Sequence, residues 1–252
     1  MTLVVLMNSA FNIISGILIL VLLFFVYRYL ETFWSFKLAK PHKWEEAVRN
    51  NLISEKLKVL ERNYYDKIRF YNIWLQIERL KRENIAGDFA ELGVHKGETA
   101  KMIYEMDTTR KLHLFDTFQG FNELDLQAEN TKGGKYTTKE FSDTSLEEVK
   151  NEIDGGEQVV FYPGYFPRTT IGLQELQFSF VHLDADLYLP TIEGLRYFYP
   201  KLSAGGVIII HDYNHTWDGI KKALDEFMPS IPESLIELSD WKGSVMIVKN
   251  SK

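Results

Sequence analysis

Cysteine is absent from the 252-residue sequence. The chain therefore has no disulfide framework and no thiolate that could bind a metal or act as a nucleophile. A basic stripe is also lacking, because 29 Lys and Arg residues are outnumbered by 35 Asp and Glu residues. Such a balance gives no support for a nucleic-acid-binding protein. The hydrophobic share of 45% and the charged share of 25% are typical of a folded, globular chain.

Charge is missing from the first part of the chain, where no Lys, Arg, Asp, Glu or His occurs from Met1 to Tyr27. Ala10–Tyr27 consists mostly of Ile, Leu, Val and Phe. A helix over the uncharged stretch would be roughly 39 Å long, at about 1.5 Å per residue, and would cross a hydrocarbon core of about 30 Å. We predict that residues 1–30 form a transmembrane anchor.

Two other interpretations of this stretch are a cleaved signal peptide and a buried core helix. The first would begin with positive charge and end at a small-residue cleavage site, and neither is evident. The second would show a polar stripe, which Ile17–Tyr27 does not have. Positive charge follows the stretch at Arg28, Lys37, Lys40, Lys43 and Arg49. The positive-inside rule therefore predicts a single-pass membrane protein whose C-terminal domain is cytoplasmic.

The pattern of the remaining sequence changes at residue 87. Residues 31–86 are predicted to form a linker and a helical lid, with helices at Trp44–Arg62 and Tyr65–Arg82. In residues 87–252, short apolar runs alternate with helical stretches. The predicted strands are 88–92, 111–115, 158–162, 178–183, 206–210 and 244–249, and the predicted helices are 98–106, 146–153, 188–199 and 216–228. Apolar strands separated by helices indicate a doubly wound α/β domain with a parallel sheet.

In such folds, ligands bind beyond the carboxyl ends of the strands. The first predicted strand ends with Glu91-Leu92 and is followed by Gly93, Gly97 and Thr99, with a helix beginning there. This is not the G-x-G-x-x-G motif of dinucleotide sites, and Glu91 stands where a pyrophosphate would bring negative charge. An amino-acid moiety fits better, with its ammonium on Glu91 and its carboxylate on the backbone near Gly93–Gly97. The alternative is an ordinary strand–helix turn.

Acidic residues also follow the other predicted strands. Asp116, after the second strand, is placed to accept ribose hydroxyls, although alone it could be a helix cap. Asp184 and Asp186 follow the fourth strand, and extended backbone would put them on one side. His211 and Asp212 follow the fifth. Such close carboxylates call for a cation, and Mg²⁺ suits oxygen ligands. The alternative is that these acids cap helices or pair with Lys and Arg. The other histidines of the domain are expected to be structural or surface groups, namely His95, His113, His182 and His215.

Five segments resemble the macrocin-type sugar O-methyltransferases, which are class I S-adenosylmethionine-dependent methyltransferases. They are GDFAELGVHKG (87–97), FDTFQGF (115–121), LDADLY (183–188), YPKLSAGG (199–206) and GIKKALDEF (219–227). The resemblance extends over about residues 60–230 and does not include the apolar N-terminal stretch. It implies a Rossmann-like, mostly parallel, seven-stranded sheet and a Mg²⁺-assisted methyl transfer to a sugar hydroxyl.

The resemblance also implies roles for individual residues. The cofactor S-adenosylmethionine would be held by Glu91, Gly93, Gly97, Thr99, Asp116 and Tyr165, where Tyr165 and Phe166 either pack on the purine or belong to the core. The metal would be bound by Asp184, His211 and Asp212, and Asp186 would be the general base. The family commonly has two consecutive Asp residues where this chain has His211-Asp212. Imidazole is a softer ligand, so Mn²⁺ could replace Mg²⁺, or His211 could lie outside the metal's ligands.

Two other functions remain open from the residues. One is an NAD(P)-dependent oxidoreductase, against which stand the missing glycine motif and the lack of a Tyr-x-x-x-Lys pair. The other is a membrane-tethered binding module with a vestigial site, against which stand the intact acids.

A membrane tether favours a lipid-linked sugar or glycoconjugate acceptor, or a small-molecule sugar. The helices at 44–82 and the polar stretch Asn122–Ser142, expected to be a mobile loop beside the site, would form a lid or a contact within a homo-oligomer.

Overall fold

A computed structural model describes residues 2–129, 136–214 and 218–250. The chain forms two compact units, residues 1–52 and 53–252. In the smaller unit, helix α1 runs from Thr2 to Ala39 and helix α2 from His42 to Arg49. Within α1, the 23 residues Phe11–Phe33 are apolar, with a mean hydropathy of 2.4, and none of this segment is buried. Its length and composition suit a membrane span, and an N-terminal signal sequence would have the same features.

The larger unit begins with two further helices, α3 (Glu55–Asn63) and α4 (Lys67–Arg82). The prediction of one helix from Trp44 to Arg62 was wrong, because α2 ends at Arg49 and α3 begins only at Glu55. Asn51 lies in the left-handed region with φ 56°, a conformation that Asn tolerates better than most residues. The Ser54 hydroxyl then accepts a hydrogen bond from the Leu57 amide at 3.1 Å and begins α3 as its N-cap.

A seven-stranded, mostly parallel sheet forms the centre of this unit, which confirms the predicted fold class. Its strands are β1 (Asp88–Leu92), β2 (Leu112–Asp116), β3 (Val159–Pro163), β4 (Phe178–Leu183), β5 (Leu202–Ile210), β6 (Ile236–Glu237) and β7 (Val245–Val248). The order is β3-β2-β1-β4-β5-β7-β6. Strands β1 to β5 pair in parallel, and β7 is antiparallel to both β5 and β6. The strand order reverses between β1 and β4, so the expected ligand crevice lies there.

Five α-helices follow among the described residues of the larger unit. They are α5 (Glu98–Met106), α6 (Glu123–Ala128), α7 (Leu146–Ile153), α8 (Tyr188–Lys201) and α9 (Asp218–Phe227). Helix α6 lies in the stretch predicted to be a loop; it begins where the Asn122 side chain accepts a hydrogen bond from the Leu124 amide at 2.9 Å. The rest of that prediction falls partly on residues 130–135, outside the described residues. His215 and the predicted start of the last helix also lie outside them.

The core fills both faces of the sheet, and all six residues of β4 are buried. On one face, an aromatic cluster joins the sheet to α8 through Phe115, Phe166, Phe178 and Phe198. Burial of large apolar side chains of this kind stabilises a fold by about 25 cal/mol for each Å² removed from water. The rigid sheet that results fixes the positions of the polar residues at its carboxyl edge.

Candidate active site

A cavity of about 440 Å³ opens at the carboxyl ends of β1, β2, β4 and β5. Nine of the ten predicted site residues line it, namely Glu91, Gly93, Thr99, Asp116, Tyr165, Asp184, Asp186, His211 and Asp212. Gly97 does not. It precedes α5 with φ 82°, and an added Cβ would lie 2.9 Å from the Val149 side chain on α7. Along the sheet edge the acids follow the strand order, with Asp116 on β2, Glu91 on β1, Asp184 after β4 and Asp212 after β5.

Glu91 is only 1% exposed, and its Oε1 lies 2.8 Å from Nδ1 of the fully buried His182. The two residues are direct partners in the parallel register of β1 and β4. Burial, and then the charges of Asp184 and Asp116, raise the pKa of Glu91 well above its usual value. Burial lowers the pKa of His182 to about 3, so its ring is neutral. Glu91 Oε2 and His182 Nε2 are both buried, and neither has a hydrogen-bond partner within the described ranges.

Gly93 forms the sharp turn after β1 that the sequence predicts. Its φ is 88°, and a Cβ there would lie 2.1 Å from the carbonyl oxygen of Asp184. The Asp184 amide donates to the Leu92 carbonyl at 2.8 Å, which draws the ends of β1 and β4 together. A glycine is therefore required both by the backbone conformation and by the close approach of the neighbouring strand.

Asp116 is held by the backbone of two turns. Its Oδ2 accepts hydrogen bonds from the amides of Val94 at 2.6 Å and His95 at 2.9 Å, and its Oδ1 accepts from the Phe118 amide at 2.6 Å. A carboxylate has about four acceptor positions, so about one is left for a ligand. For Asp116 to accept hydrogen bonds from two ribose hydroxyls, as predicted, one of these three amides would have to lose its hydrogen bond.

The remaining predicted cofactor residues have partners of their own. The Thr99 hydroxyl lies 2.9 Å from the hydroxyl of Tyr64. The Tyr165 hydroxyl donates to Oδ1 of Asp125 at 3.0 Å, which links the segment after β3 to α6. Burial raises the pKa of Asp125 to about 6. Both aromatic residues predicted at the purine line the cavity, and Phe166, which is 5% exposed, is also part of the core.

Three acids and one histidine converge beyond β4 and β5. Nδ1 of His211 lies 2.9 Å from Oδ1 of Asp184 and 2.8 Å from Oδ1 of Asp212. Asp186 and Asp212 both have positive φ, 60° and 61°. The expectation of extended backbone at Asp186 was therefore wrong, since a left-handed residue follows the strand end. Left-handed backbone conformations are energetically unfavourable for residues other than glycine. They occur often at functional sites, where the surrounding structure maintains them.

The combined effect of burial and neighbouring groups raises the pKa values of Asp186 and His211 and lowers those of Asp184 and Asp212. Burial, followed by the charges of Asp184 and Asp212, raises the pKa of Asp186 well above its usual value. Burial disfavours ionisation of Asp184, but His211 and the Arg69 guanidinium outweigh it and lower the pKa of Asp184. Burial likewise opposes a charged His211, but Asp184 and Asp212 outweigh it and raise its pKa to about 9. The cluster therefore contains one carboxyl group that favours its protonated form beside others that favour ionisation.

Two cations approach this cluster that the sequence did not indicate. Nη1 of Arg69, in the first turn of α4, lies 3.5 Å from Oδ2 of Asp184, and its Nη2 contacts Nε2 of His211. Lys242 Nζ lies 3.5 Å from Oδ2 of Asp212. Arg69 lies in α4, far in sequence from the strand ends, and Lys242 precedes β7, which is antiparallel to β5, so no motif spacing predicts that they meet the acids. The sequence did contain a signal for His182, because a histidine in a mostly apolar, fully buried strand needs a polar partner.

The donor set fits a divalent cation. One ligand atom from each of Asp184, His211 and Asp212 lies within 4.8 Å of the others. Both carboxylate oxygens of Asp212 are buried, and neither receives a hydrogen bond of acceptable geometry from a described residue. Two oxygens with one imidazole nitrogen suit Mn²⁺ or a similar transition metal as well as Mg²⁺. A metal bound here would have to displace the contacts of Arg69 and Lys242.

The family described as macrocin O-methyltransferase matches residues 62–246. The chain belongs to this family. The match includes strands β1 to β6, the first two residues of β7 and every predicted site residue, and it confirms the resemblance seen in the sequence. It does not include α1 or α2.

Curated proteins and solved structures that are similar to this chain include other O-methyltransferases. The 8-demethyl-8-(2,3-dimethoxy-alpha-L-rhamnosyl)-tetracenomycin-C 4'-O-methyltransferase of Streptomyces olivaceus is 29% identical over 58% of this chain and 60% of its own length. Demethyldecarbamoylnovobiocin O-methyltransferase of Streptomyces niveus is 29% identical over 63% of this chain and 64% of its own length. The chain thus matches less than two thirds of these relatives. Among solved structures, the O-methyltransferase NovP is 27% identical in sequence to this chain. The two structures align with a TM-score of 0.63 over 73% of this chain and 81% of NovP. The calicheamicin methyltransferase CalS11, 20% identical with a TM-score of 0.58 over 84% of this chain and 88% of CalS11, shares the fold.

Proposed function

We propose that this macrocin-family chain is an S-adenosylmethionine-dependent O-methyltransferase that methylates a sugar hydroxyl with the help of a divalent cation. The observation that carries the proposal is the convergence of Glu91, Asp116 and the cluster around Asp186 on one cavity. The names of the relatives support it, since that of the Streptomyces olivaceus protein includes a rhamnosyl group and a 4'-O-methyltransferase activity.

The order of the acids along the sheet edge gives the cofactor an orientation. The ribose would lie near Asp116 on β2 and the amino-acid end near Glu91 on β1. The methyl group would then face the cluster beyond β4 and β5. Glu91 would accept the ammonium, and the backbone of the turn at Gly93 would face the carboxylate. This arrangement positions both reactants in one cavity, which is the main requirement for methyl transfer from a reactive sulfonium.

The acid cluster would prepare the acceptor hydroxyl. An alcohol is a weak acid, so a base of ordinary Asp pKa, about 3.9, accepts its proton poorly. In its ionised form Asp186 would be a stronger base than an ordinary Asp, because burial and the charges of Asp184 and Asp212 raise its pKa. Asp184, His211 and Asp212 would hold the cation, which when bound lowers the pKa of a coordinated hydroxyl. The ionised Asp186 would receive the hydroxyl proton as the oxygen attacks the methyl group and the bond from the methyl carbon to the sulfonium sulfur breaks.

We further propose that α1 anchors the enzyme in a membrane as a single span, with the catalytic unit on the cytoplasmic face. The length and apolar character of Phe11–Phe33 support this. The positive residues from Arg28 onwards support the direction. A membrane location favours a lipid-linked sugar or another glycoconjugate precursor as the acceptor.

One experiment tests the activity and the acceptor together. The purified full-length protein is incubated with methyl-labelled S-adenosylmethionine and a membrane extract, with and without a chelator. Label is expected in a glycolipid or lipid-linked saccharide, and the chelator is expected to prevent its transfer. Label confined to water-soluble sugars would contradict the lipid-linked acceptor. Undiminished transfer in excess chelator would contradict the metal, and no transfer to any extract would contradict the activity.

A further inference from the structure

We propose that His182 is a positioning residue for the cofactor. Its Nδ1–H holds Oε1 of Glu91 and leaves Oε2 to receive the ammonium group of S-adenosylmethionine. This inference rests on the proposed function. It assigns a role in ligand binding to a histidine that the sequence analysis treated as structural.

The strand register holds this pair together. Glu91 is the penultimate residue of β1 and His182 the penultimate residue of β4, and the two are paired directly in the parallel ladder. Their side chains therefore emerge on the same face of adjacent strands. The 2.8 Å bond joins side chains that are 1% and 0% exposed, so water does not compete for either group.

The chemistry of the carboxylate decides the direction of this bond. An ionised Glu91, the form that a nearby ammonium group favours, only accepts hydrogen bonds, so Nδ1 of His182 must carry the proton that joins them. The bond occupies Oε1 and orients the carboxylate, and it leaves Oε2 to accept a hydrogen bond from a ligand.

The second carboxylate oxygen of Glu91, Oε2, indicates that a ligand binds at this position. Oε2 is buried without a hydrogen-bond partner among the described residues, while Glu91 itself lines the cavity. A buried carboxylate oxygen without a partner is costly, because the lost hydration is not replaced. A cationic donor entering the cavity would satisfy it. In the proposed orientation this donor is the ammonium group, because Glu91 on β1 lies between Asp116 on β2, at the ribose, and Asp184 after β4.

The test separates ammonium recognition from general stability. Calorimetry measures the binding of two ligands to the full-length protein, S-adenosylmethionine and 5'-methylthioadenosine, which lacks the amino-acid end. His182→Leu removes the donor and is expected to weaken S-adenosylmethionine binding by about tenfold to hundredfold, the usual range for a lost hydrogen bond to a charged group. Binding of methylthioadenosine is expected to change less than about threefold, since it makes no contact with Glu91. His182→Asn, whose amide can reach the same oxygen, is expected to restore most of the affinity.

His113 provides a matched control. It is 3% exposed on β2, on the other side of β1, and also contacts a carboxylate, Asp88, at 3.1 Å, but Asp88 does not line the cavity as Glu91 does. His113→Leu is expected to leave the ratio of the two affinities unchanged. If His182→Leu does not fold, His182→Phe, which keeps a planar ring, takes its place.

The possible results have distinct meanings. Selective loss of S-adenosylmethionine binding in the His182 variants supports the positioning role. Equal loss of both ligands shows that His182 is only structural, and unchanged affinities show that Glu91 needs no orientation; either result overturns the inference. Wild-type protein that binds neither ligand would instead contradict the proposed function.

Discussion

Asp186 differs from the acids around it because burial and the charges of Asp184 and Asp212 raise its pKa. We therefore predict that Asp186→Asn, which removes the base but keeps the shape, lowers kcat by about 100-fold to 10,000-fold. The affinity for S-adenosylmethionine should stay within about threefold, because the base acts on the acceptor. Steady-state kinetics and calorimetry measure the two quantities.

Asp154→Asn is the control for this prediction. Asp154 is also a left-handed aspartate, with φ 49°, but it ends α7 and is exposed. It should leave kcat unchanged. An Asp186→Asn enzyme with near-normal turnover would remove Asp186 from the role of general base.

Arg69 places a positive charge 3.5 Å from an oxygen of Asp184 and so competes with any metal bound there. We predict that Arg69→Met strengthens Mn²⁺ binding about tenfold, because the removed charge repels the ion through a partly screened environment. Arg79→Met, on the same helix but bonded to Glu83 and the Gly205 carbonyl, should change nothing. Calorimetric titration with Mn²⁺, without cofactor or acceptor, measures the effect. Weaker binding in Arg69→Met would mean that Arg69 organises the metal ligands instead of opposing the metal.

Asp125 makes the stability of the fold depend on pH. Its pKa is raised by burial from 3.8 to about 6, so the folded protein binds a proton that the unfolded chain releases at lower pH. Stability therefore falls as pH rises through this window, and the full penalty applies above pH 6. Asp125→Asn keeps an acceptor for Tyr165 and should stabilise the protein by about 1 kcal/mol at pH 7.5, a value reduced for partial solvation, with little gain near pH 4.

Thermal unfolding at the two pH values checks this prediction. Asp225→Asn, at an exposed position on α9, is the control and should show no such pH dependence. An equal gain for Asp125→Asn at both pH values would show that its charge is not the cause.

At the scale of secondary-structure elements, the junction of β1 and β4 depends on Gly93. An alanine there would put its Cβ 2.1 Å from the Asp184 carbonyl oxygen. Gly172 has nearly the same φ, 89° against 88°, but nothing lies within 4 Å of an added Cβ. We predict that Gly172→Ala costs about 1 kcal/mol through its backbone conformation alone, whereas Gly93→Ala unfolds the protein or abolishes S-adenosylmethionine binding. Thermal unfolding and calorimetry measure both, and equal effects would exclude the clash as the cause.

The limits of sequence-based prediction also appear at this scale. Strands β1 and β4 were predicted with the observed bounds because each is a short segment rich in apolar residues that ends just before the residues of a turn. Strand β6 was missed because its two residues are exposed and carry no pattern. Helix α6 was missed because six residues are too few for a helical period. In the site, strand ends predicted Glu91 and Asp184, but the contacts of Arg69 and Lys242 depend on tertiary packing that local sequence does not encode.

For the whole molecule, the main prediction is that α1 holds the chain in a membrane. Leu22 lies at the middle of the apolar segment Phe11–Phe33 and is 62% exposed. Leu22→Arg would place a charge at the bilayer centre, at a cost of about 2.5–3.5 kcal/mol on insertion scales. The wild-type chain should resist extraction from membranes by alkaline carbonate, and Leu22→Arg should be released. Leu52→Arg, at a position that is 74% exposed and lies outside the span, should behave as the wild type.

A reporter enzyme fused after Lys252 gives the direction of the anchor. The positive residues that follow the span should keep the catalytic unit in the cytoplasm, where S-adenosylmethionine is made and a reporter would be shielded from added protease. Protease sensitivity in intact cells would place the unit outside and reverse the predicted orientation. A mature chain that has lost its first residues would identify α1 as a signal sequence. In that case the argument for a lipid-linked acceptor would lose its basis, while the proposed roles of Glu91, Asp116 and Asp186 would stand, because they depend only on residues beyond α1.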